Sequence, residues 1–204
     1  MSPGATFARV YHELKRMLAT GELPPGTPIE PAVIGKQIAS SITPVRDALH
    51  RLTGERLVEA PNHNGFRVPL LTEAGLRDLY GWNAQLLGLA VRVRPADAAL
   101  STDSAAQLDA EDVGAHFARL FLEAADLGGS GELSDAVRQL NDRLAVYRRA
   151  EALVLDGLVE EYHALSRDLA RGGRKEIMAG LARYHRRRMQ AVAQIVARAQ
   201  GGRR

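Results

Sequence analysis

The stretch Ser41-Ile42-Thr43-Pro44-Val45-Arg46-Asp47-Ala48-Leu49-His50-Arg51-Leu52 sets side chains that can grip a nucleic acid beside side chains that anchor a helix. Arg46 carries a planar fork of donors, which can hold guanine O6 and N7 or a phosphate. Ser41 and Thr43 bring hydroxyls that can cap a helix start or donate to phosphate oxygens. Val45, Ala48, Leu49 and Leu52 recur at i, i+3, i+4 and i+7. That spacing predicts a helix with one buried stripe and leaves Arg46, His50 and Thr53 on or near the opposite face. Pro44 is tolerated in the first turn, and Asp47 suits the positive end of the helix dipole. The segment has the form of a helix that reads DNA.

The flanking segments supply what must position it. An amphipathic helix with Val10, Leu14, Met17 and Leu18 on one face precedes the turn Leu23-Pro24-Pro25-Gly26, and Pro31 to Ile38 forms a short second helix. Leu57-Val58-Glu59 and Phe66-Arg67-Val68 are short strand candidates on either side of Pro61-Asn62-His63-Asn64-Gly65, whose glycine and asparagines tolerate positive φ. The sum is a helix-turn-helix followed by a hairpin wing. Lys36 on the second helix, with His63 and Gly65 in the wing, are the further candidate DNA contacts; Arg51 and Arg67 can add phosphate contacts.

The ordered set Leu23-Pro24-Pro25-Gly26, Thr43-Pro44-Val45-Arg46-Asp47-Ala48-Leu49 and Leu57-Val58-Glu59 with Gly65 resembles the winged helix-turn-helix of the GntR family of bacterial transcription regulators. Leu76-Arg77-Asp78-Leu79-Tyr80 through Leu86-Leu87-Gly88-Leu89-Ala90 resembles the first helix of the family's FCD effector domain. The resemblance covers residues 7 to 94 well and thins beyond. It implies a mostly α protein: a winged helix-turn-helix with a small β-hairpin wing over residues 1 to 71, then an all-α effector and dimerisation bundle over residues 72 to 204. It further implies a cytoplasmic, nucleoid-associated homodimer on a near-palindromic operator, answering to a small organic acid.

Composition permits this. The 204 residues hold 46% hydrophobic and 5% aromatic side chains, which suits a helical chain rich in Ala and Leu. With no cysteine there is neither a disulfide framework nor a thiolate zinc site. No long uncharged apolar stretch appears, so no membrane partner is expected. The net charge of +3 is uneven: residues 1 to 71 carry 8 Lys/Arg against 6 Asp/Glu, residues 72 to 182 carry 12 against 18, and residues 183 to 204 carry 7 against none. The last group (Arg183, Arg186, Arg187, Arg188, Arg198, Arg203, Arg204) reads as a solvated helix face with a frayed tail. The domain boundary falls near Pro69 to Glu73, with Thr72 as a cap, and helical periodicity continues over about 73 to 94, 109 to 127, 132 to 149, 151 to 171 and 174 to 199. That is a bundle shorter by one helix than the FCD pattern.

FCD domains commonly hold a divalent ion such as zinc on an Asp and a His at i, i+4 and two later His. His163 and His185 match the later positions, with Glu123 or Glu160 available as extra carboxylates. Aligned on apolar residues, Gly114 and Ala118 stand where the first two ligands belong; a shift of two residues offers Asp112 and His116 instead, but rotates the stripe of Val113, Phe117, Leu120, Phe121 and Ala124 away from the core. A metal therefore stays an open possibility. Asn83 and Leu87 replace an arginine and a glutamate, and Trp82 is a core, interface or ligand-stacking residue. Enzyme chemistry finds no support, since there is no Gly-rich phosphate loop, nucleophile elbow or His-Glu-x-x-His. Two readings remain: a metabolite-responsive regulator, or a DNA-binding dimer whose effector domain serves only to dimerise.

Overall fold

The first 29 residues already bend back on themselves. In the computed structural model, which describes residues 3 to 61, 65 to 95, 113 to 171 and 173 to 201, helix α1 (Pro3–Thr20) leads through Gly21 and Gly26, both at positive φ, into strand β1 (Pro28–Ile29). Helices α2 (Pro31–Gln37) and α3 (Ile42–Gly54) follow, and then strand β2 (Phe66–Arg67). Among the described residues there are eight helices and one antiparallel pair, so the fold is mostly α with a winged helix-turn-helix at its N-terminal end.

Two compact units emerge: Met1–Leu71 with Ala199–Arg204, and Thr72–Arg198. The first is built on one apolar cluster. Val10, Leu14, Met17 and Leu18 of α1 meet Ile34 and Ile38 of α2, Val45, Ala48, Leu49 and Leu52 of α3, and Leu57, Val58, Phe66 and Val68. Tyr11 donates its hydroxyl to Glu55 at 2.8 Å, Arg51 pairs with Glu55 at 3.2 Å, and the Arg51 guanidinium lies 4.4 Å above the Tyr11 ring. These contacts fix α3 against α1.

The sheet differs from the expected hairpin. Strand β2 pairs with β1, Pro28 opposite Arg67 and Ile29 opposite Phe66, while the segment 57 to 59 contributes a single bridge, Glu59 to Arg67. Leu57 and Val58 are both buried, so the segment does not alternate as a strand with one wet face must, and Pro61 has no N–H for a further rung.

The turn between α2 and α3 closes as a Schellman motif. Ser40 N–H donates to Gly35 O at 2.8 Å and Ala39 N–H to Lys36 O at 3.4 Å, with Ala39 left-handed at φ 51°. A Cβ at Gly35 would stand 2.8 Å from the Ser40 carbonyl oxygen, so this glycine is required by close approach. Arg9 of α1 reaches across and donates to Ile38 O at 2.9 Å and Ala39 O at 3.3 Å, satisfying carbonyls the helix end leaves open.

The second unit packs α4 (Glu73–Val93), α5 (Val113–Asp126), α6 (Gly131–Glu151), α7 (Leu158–Arg171) and α8 (Arg174–Gln200). Thr72 caps α4 as expected, accepting from Gly75 N–H at 3.1 Å. The expected start of α7 near residue 151 moves to 158, because α6 runs through Glu151 and Gly157 turns the chain at φ 65°. No described helix is long and apolar enough to cross a membrane. An alanine in the left-handed region costs about 1 kcal/mol that glycine does not incur. Ala39→Gly should therefore raise the unfolding free energy by about that amount in urea titrations; a loss of stability would show that the turn is not strained at Ala39.

Candidate nucleic-acid interface and buried polar centre

The exposed face of α3 follows from its buried one. Val45, Ala48, Leu49 and Leu52 are fully buried, which turns Thr43, Arg46, Asp47 and His50 outward. Ser41 is the N-cap residue in extended conformation, yet its side chain makes no capping bond, and Thr43 lies one residue inside the helix start. The capping role expected of these hydroxyls is therefore unused. Pro44 sits in the first turn, where no backbone donor is required. The remaining N–H groups and two exposed hydroxyls at this end form a surface suited to phosphate.

Arg46 is exposed and engages no described carboxylate or carbonyl, and Lys36 is likewise exposed at the end of α2. His50 is exposed but spoken for in part: its ring stands edge-on to Phe66 of β2, centroids 5.0 Å apart, so it joins the recognition helix to the wing. Arg51 is engaged by Glu55 and Tyr11, with its side chain still 57% exposed. Gly65 has φ 91° and open space around a built Cβ, so backbone conformation alone demands glycine there. His63 lies outside the described residues. Sequence reasoning did not single out the exposure of Ile42 (49%) and Val33 (56%), two apolar side chains on the helix-turn-helix surface.

The helical unit has a different kind of interior. Arg188 is fully buried, and its Nε donates to Glu151 Oε2 at 2.9 Å, its Nη1 to Glu161 Oε2 at 2.8 Å and to Tyr184 O at 3.1 Å. Tyr80 donates to the other Glu151 oxygen at 2.6 Å. Burial opposes the Arg188 charge, but Glu151, Tyr184 and Glu161 outweigh it and hold the proton on. Tyr80 is pushed well above the usual phenol range by burial and then by Glu151. Arg148, 1% exposed, donates through Nη1 to Asn141 Oδ1 at 2.9 Å, and Asn141 in turn donates to Ala118 O at 2.7 Å.

This centre corrects the reading of the basic end. Arg188 is core, not solvated face, and Arg187 pairs with Glu161 at 3.1 Å. A signal was present in the sequence, since Arg188 continues the stripe Ile177, Leu181, Tyr184, Val192, Ile195, and Arg148 continues Val137, Leu140, Leu144. Trp82 is 53% exposed and not a core residue of this chain, which leaves the interface and ligand-stacking readings of it open.

Among the described residues, the histidines named as metal candidates do not converge on a cation site. His185 donates Nδ1–H to Leu181 O at 2.7 Å, and its Nε2 lies 3.0 Å from the Asn83 side-chain amide. Both ring nitrogens are thus engaged. Burial, with Arg188 and Arg148 nearby, lowers its pKa to about 4. Guanidinium groups that disfavour an imidazolium also repel a metal ion. Nε2 faces Asn83 Oδ1, and a neutral ring protonated on Nδ1 pairs with this side chain once the amide is turned to present its NH2. His163 is half-buried beside Tyr162, and His116 Nδ1 accepts from Arg119 Nη2 at 2.7 Å. Among the described residues no three His, Asp or Glu side chains converge as a metal site, and Asp112 lies outside them.

Because His185 binds its proton more weakly folded than unfolded, the unfolded chain takes up more protons below its ordinary pKa of 6.5. Stability is fully present above that pH and should fall by up to about 3 kcal/mol as pH drops to about 4. Urea midpoints measured across this window should show a slope in the natural protein that His185→Gln flattens; equal slopes would assign the acid sensitivity elsewhere.

Comparison with known proteins bears on both units. Residues 6–68 match the family described as Bacterial regulatory proteins, gntR family. The HTH-type transcriptional regulator YdhC of Bacillus subtilis (strain 168) is 30% identical over 91 residues, 45% of this chain and 41% of YdhC. The HTH-type transcriptional repressor GlaR of Escherichia coli (strain K12) is 30% identical over 81 residues, 40% of this chain and 37% of GlaR. The HTH-type transcriptional regulator McbR of Escherichia coli (strain K12) is 26% identical over 153 residues, 75% of this chain and 65% of McbR. The chain thus spans about two-fifths of the length of the first two relatives. Among solved structures, E. coli McbR/YncC superposes with TM-score 0.71 at 21% identity over 93% of this chain and 97% of that one. A GntR transcriptional regulator from Rhodococcus sp. RHA1 does so with TM-score 0.71 at 20% identity over 98% and 100%. Residues 6–68 therefore form a gntR-type winged helix-turn-helix, carried on a chain that shares its whole fold with these two solved proteins.

Proposed function

We propose that the protein is a sequence-specific DNA-binding transcription regulator of the FCD type, acting as a cytoplasmic homodimer on a near-palindromic operator and answering to a small organic acid. The observation that carries the DNA-binding reading is the face of α3, where Arg46 stands exposed, without a partner among the described residues, beside the hydroxyls of Ser41 and Thr43 and the ring of His50. An exposed guanidinium on a helix start can enter the major groove and hold guanine through two parallel hydrogen bonds. Ile42 suits contact with a thymine methyl group, and Lys36, Ser41 and Thr43 suit phosphates. The relatives, transcription regulators and a repressor by name, support the same reading. No enzymatic role is assigned.

The exposed side of α4 supports dimerisation through this helix. Trp82, Leu89 and Val93 recur at i, i+7 and i+11 and are 53%, 40% and 45% exposed, three large apolar side chains on the exposed side of α4, where Asp78, Gln85 and Arg92 are exposed too. Paired effector domains would set two reading helices on half-sites about one turn apart, and a ligand that altered the pairing would alter that spacing. The alternative, an effector domain that only dimerises, is favoured by one feature: Gly114 and Ala118 bring no ligating side chain where FCD domains commonly carry two.

Anisotropy titration with the chain's own upstream DNA and a scrambled duplex, at two salt concentrations, tests the reading. Arg46→Ala should weaken specific binding by about 1–3 kcal/mol and relax preference at one base, whereas Lys36→Ala should weaken all sequences alike. Full specific affinity in Arg46→Ala would refute base reading by this helix. Sedimentation should show a dimer that Trp82→Glu converts to monomer; a Trp82→Glu variant that remained dimeric would move the interface away from α4.

A further inference from the structure

Ile42 opens α3 with a side chain that the core does not use. It is 49% exposed, and Ile42, Arg46 and His50 follow one another at i, i+4 and i+8, all three exposed. That spacing puts them in one row along the helix, a turn apart. A single exposed apolar side chain is ordinary on a protein surface, so its surroundings decide what it meets. The backbone just before Ile42 is fixed. Ser40 N–H donates to Gly35 O at 2.8 Å, a Cβ at Gly35 would stand 2.8 Å from the Ser40 carbonyl oxygen, and Arg9 donates to Ile38 O and Ala39 O. The side chain is stiff as well, because branching at Cβ leaves isoleucine one dominant χ1 rotamer in a helix. Ile42 therefore presents its methyl groups at a set height and direction beside the Arg46 guanidinium.

The chemistry of the two side chains differs in a way that selects bases. A guanidinium fork matches the O6 and N7 acceptors of guanine. Isoleucine has neither donor nor acceptor, and the apolar group on a base edge in the major groove is the C5 methyl of thymine. An amino or carbonyl edge pressed against Ile42 would instead lose its water without gaining a partner. Four residues of helix rise about 6 Å, close to two base-pair steps of about 3.4 Å each. We propose that Ile42 and Arg46 form a two-part reader, so that each half-site carries a guanine held by Arg46 and, within about two base pairs of it, a thymine whose methyl group Ile42 covers. This rests on the DNA-binding reading above and adds to it the identity and the spacing of two bases.

Selection from random duplexes with the full chain supplies the operator, and anisotropy on that operator tests the inference. Deazaguanine, which lacks N7, locates the guanine, because its penalty should vanish in Arg46→Ala. Deoxyuridine, which keeps the pairing of thymine and lacks only its methyl group, is then placed at each thymine in turn. One thymine in each half-site, within about two base pairs of that guanine, should lose about fourfold in affinity, the contribution of one methyl group withdrawn from water. Ile42→Ala should no longer distinguish thymine from deoxyuridine there. Val33→Ala should keep the full penalty, since Val33 is 56% exposed but lies on the helix that crosses the backbone in this motif. In a repeated selection, Ile42→Arg should exchange the preferred thymine for guanine. No penalty at any thymine near the guanine, or a penalty that survives in Ile42→Ala, would overturn the inference and leave Arg46 as a reader of guanine. A selection that returns no common sequence, or a deazaguanine penalty that survives in Arg46→Ala, would remove the reading of DNA by this helix and the inference with it.

Discussion

The Arg188 guanidinium is the point on which the helical unit depends. It sits on α8, pairs with Glu151 of α6 and Glu161 of α7, and through Glu151 is tied to Tyr80 of α4. Four helices are thus registered by one fully desolvated charge. Such a network adds little to net stability, because desolvation consumes most of the Coulombic gain, but each partner becomes indispensable: removing one strands the others, at about 3–5 kcal/mol. The apolar stripes of these helices would tolerate small slides and rotations. The charge centre does not, since its hydrogen bonds have fixed lengths and directions.

The same logic bears on the buried histidine of the helical unit. In a medium of low effective dielectric, the sign of the nearest fixed charges sets what can enter. Burial, with Arg188 and Arg148 nearby, keeps His185 neutral. Glycine and alanine at 114 and 118 bring α5 close to α6, and Asn141 spans the contact. The loss of side chains on one helix and the arrival of a guanidinium from the next are one packing event.

In the N-terminal unit, order is achieved by backbone bonds where side-chain caps are absent. The turn before α3 is closed by its own Schellman bonds and by Arg9, and α3 begins without using Ser41. The hydroxyls of Ser41 and Thr43 are thereby left to the solvent side. Strain at Ala39 accompanies this arrangement. Glu55 then holds α3 from the far end through Tyr11, Lys15 and Arg51, so the helix is fixed at both ends while its outer face stays open.

Much of this was legible in the residues. The 3.6-residue stripes of α1, α3, α4 and α5 gave helices and buried faces, because a helix at an interface must repeat its apolar side chains at that period. Pro, Gly and Thr72 gave most boundaries, since their backbone preferences act locally. What escaped was whatever depended on distant partners. The pairing of β2 with β1, the burial of Trp82's neighbours but not Trp82, and the engagement of His185 Nε2 by Asn83 are settled across long sequence separations. Arg148 and Arg188 show the limit best. Their spacing placed them on apolar stripes, yet type argued for solvent; a charged group is buried only if another part of the chain supplies its partners. Sequence alone determined which residues face inward along each helix. Only the tertiary structure decided which inward charges are paired, because pairing is a property of the space between helices.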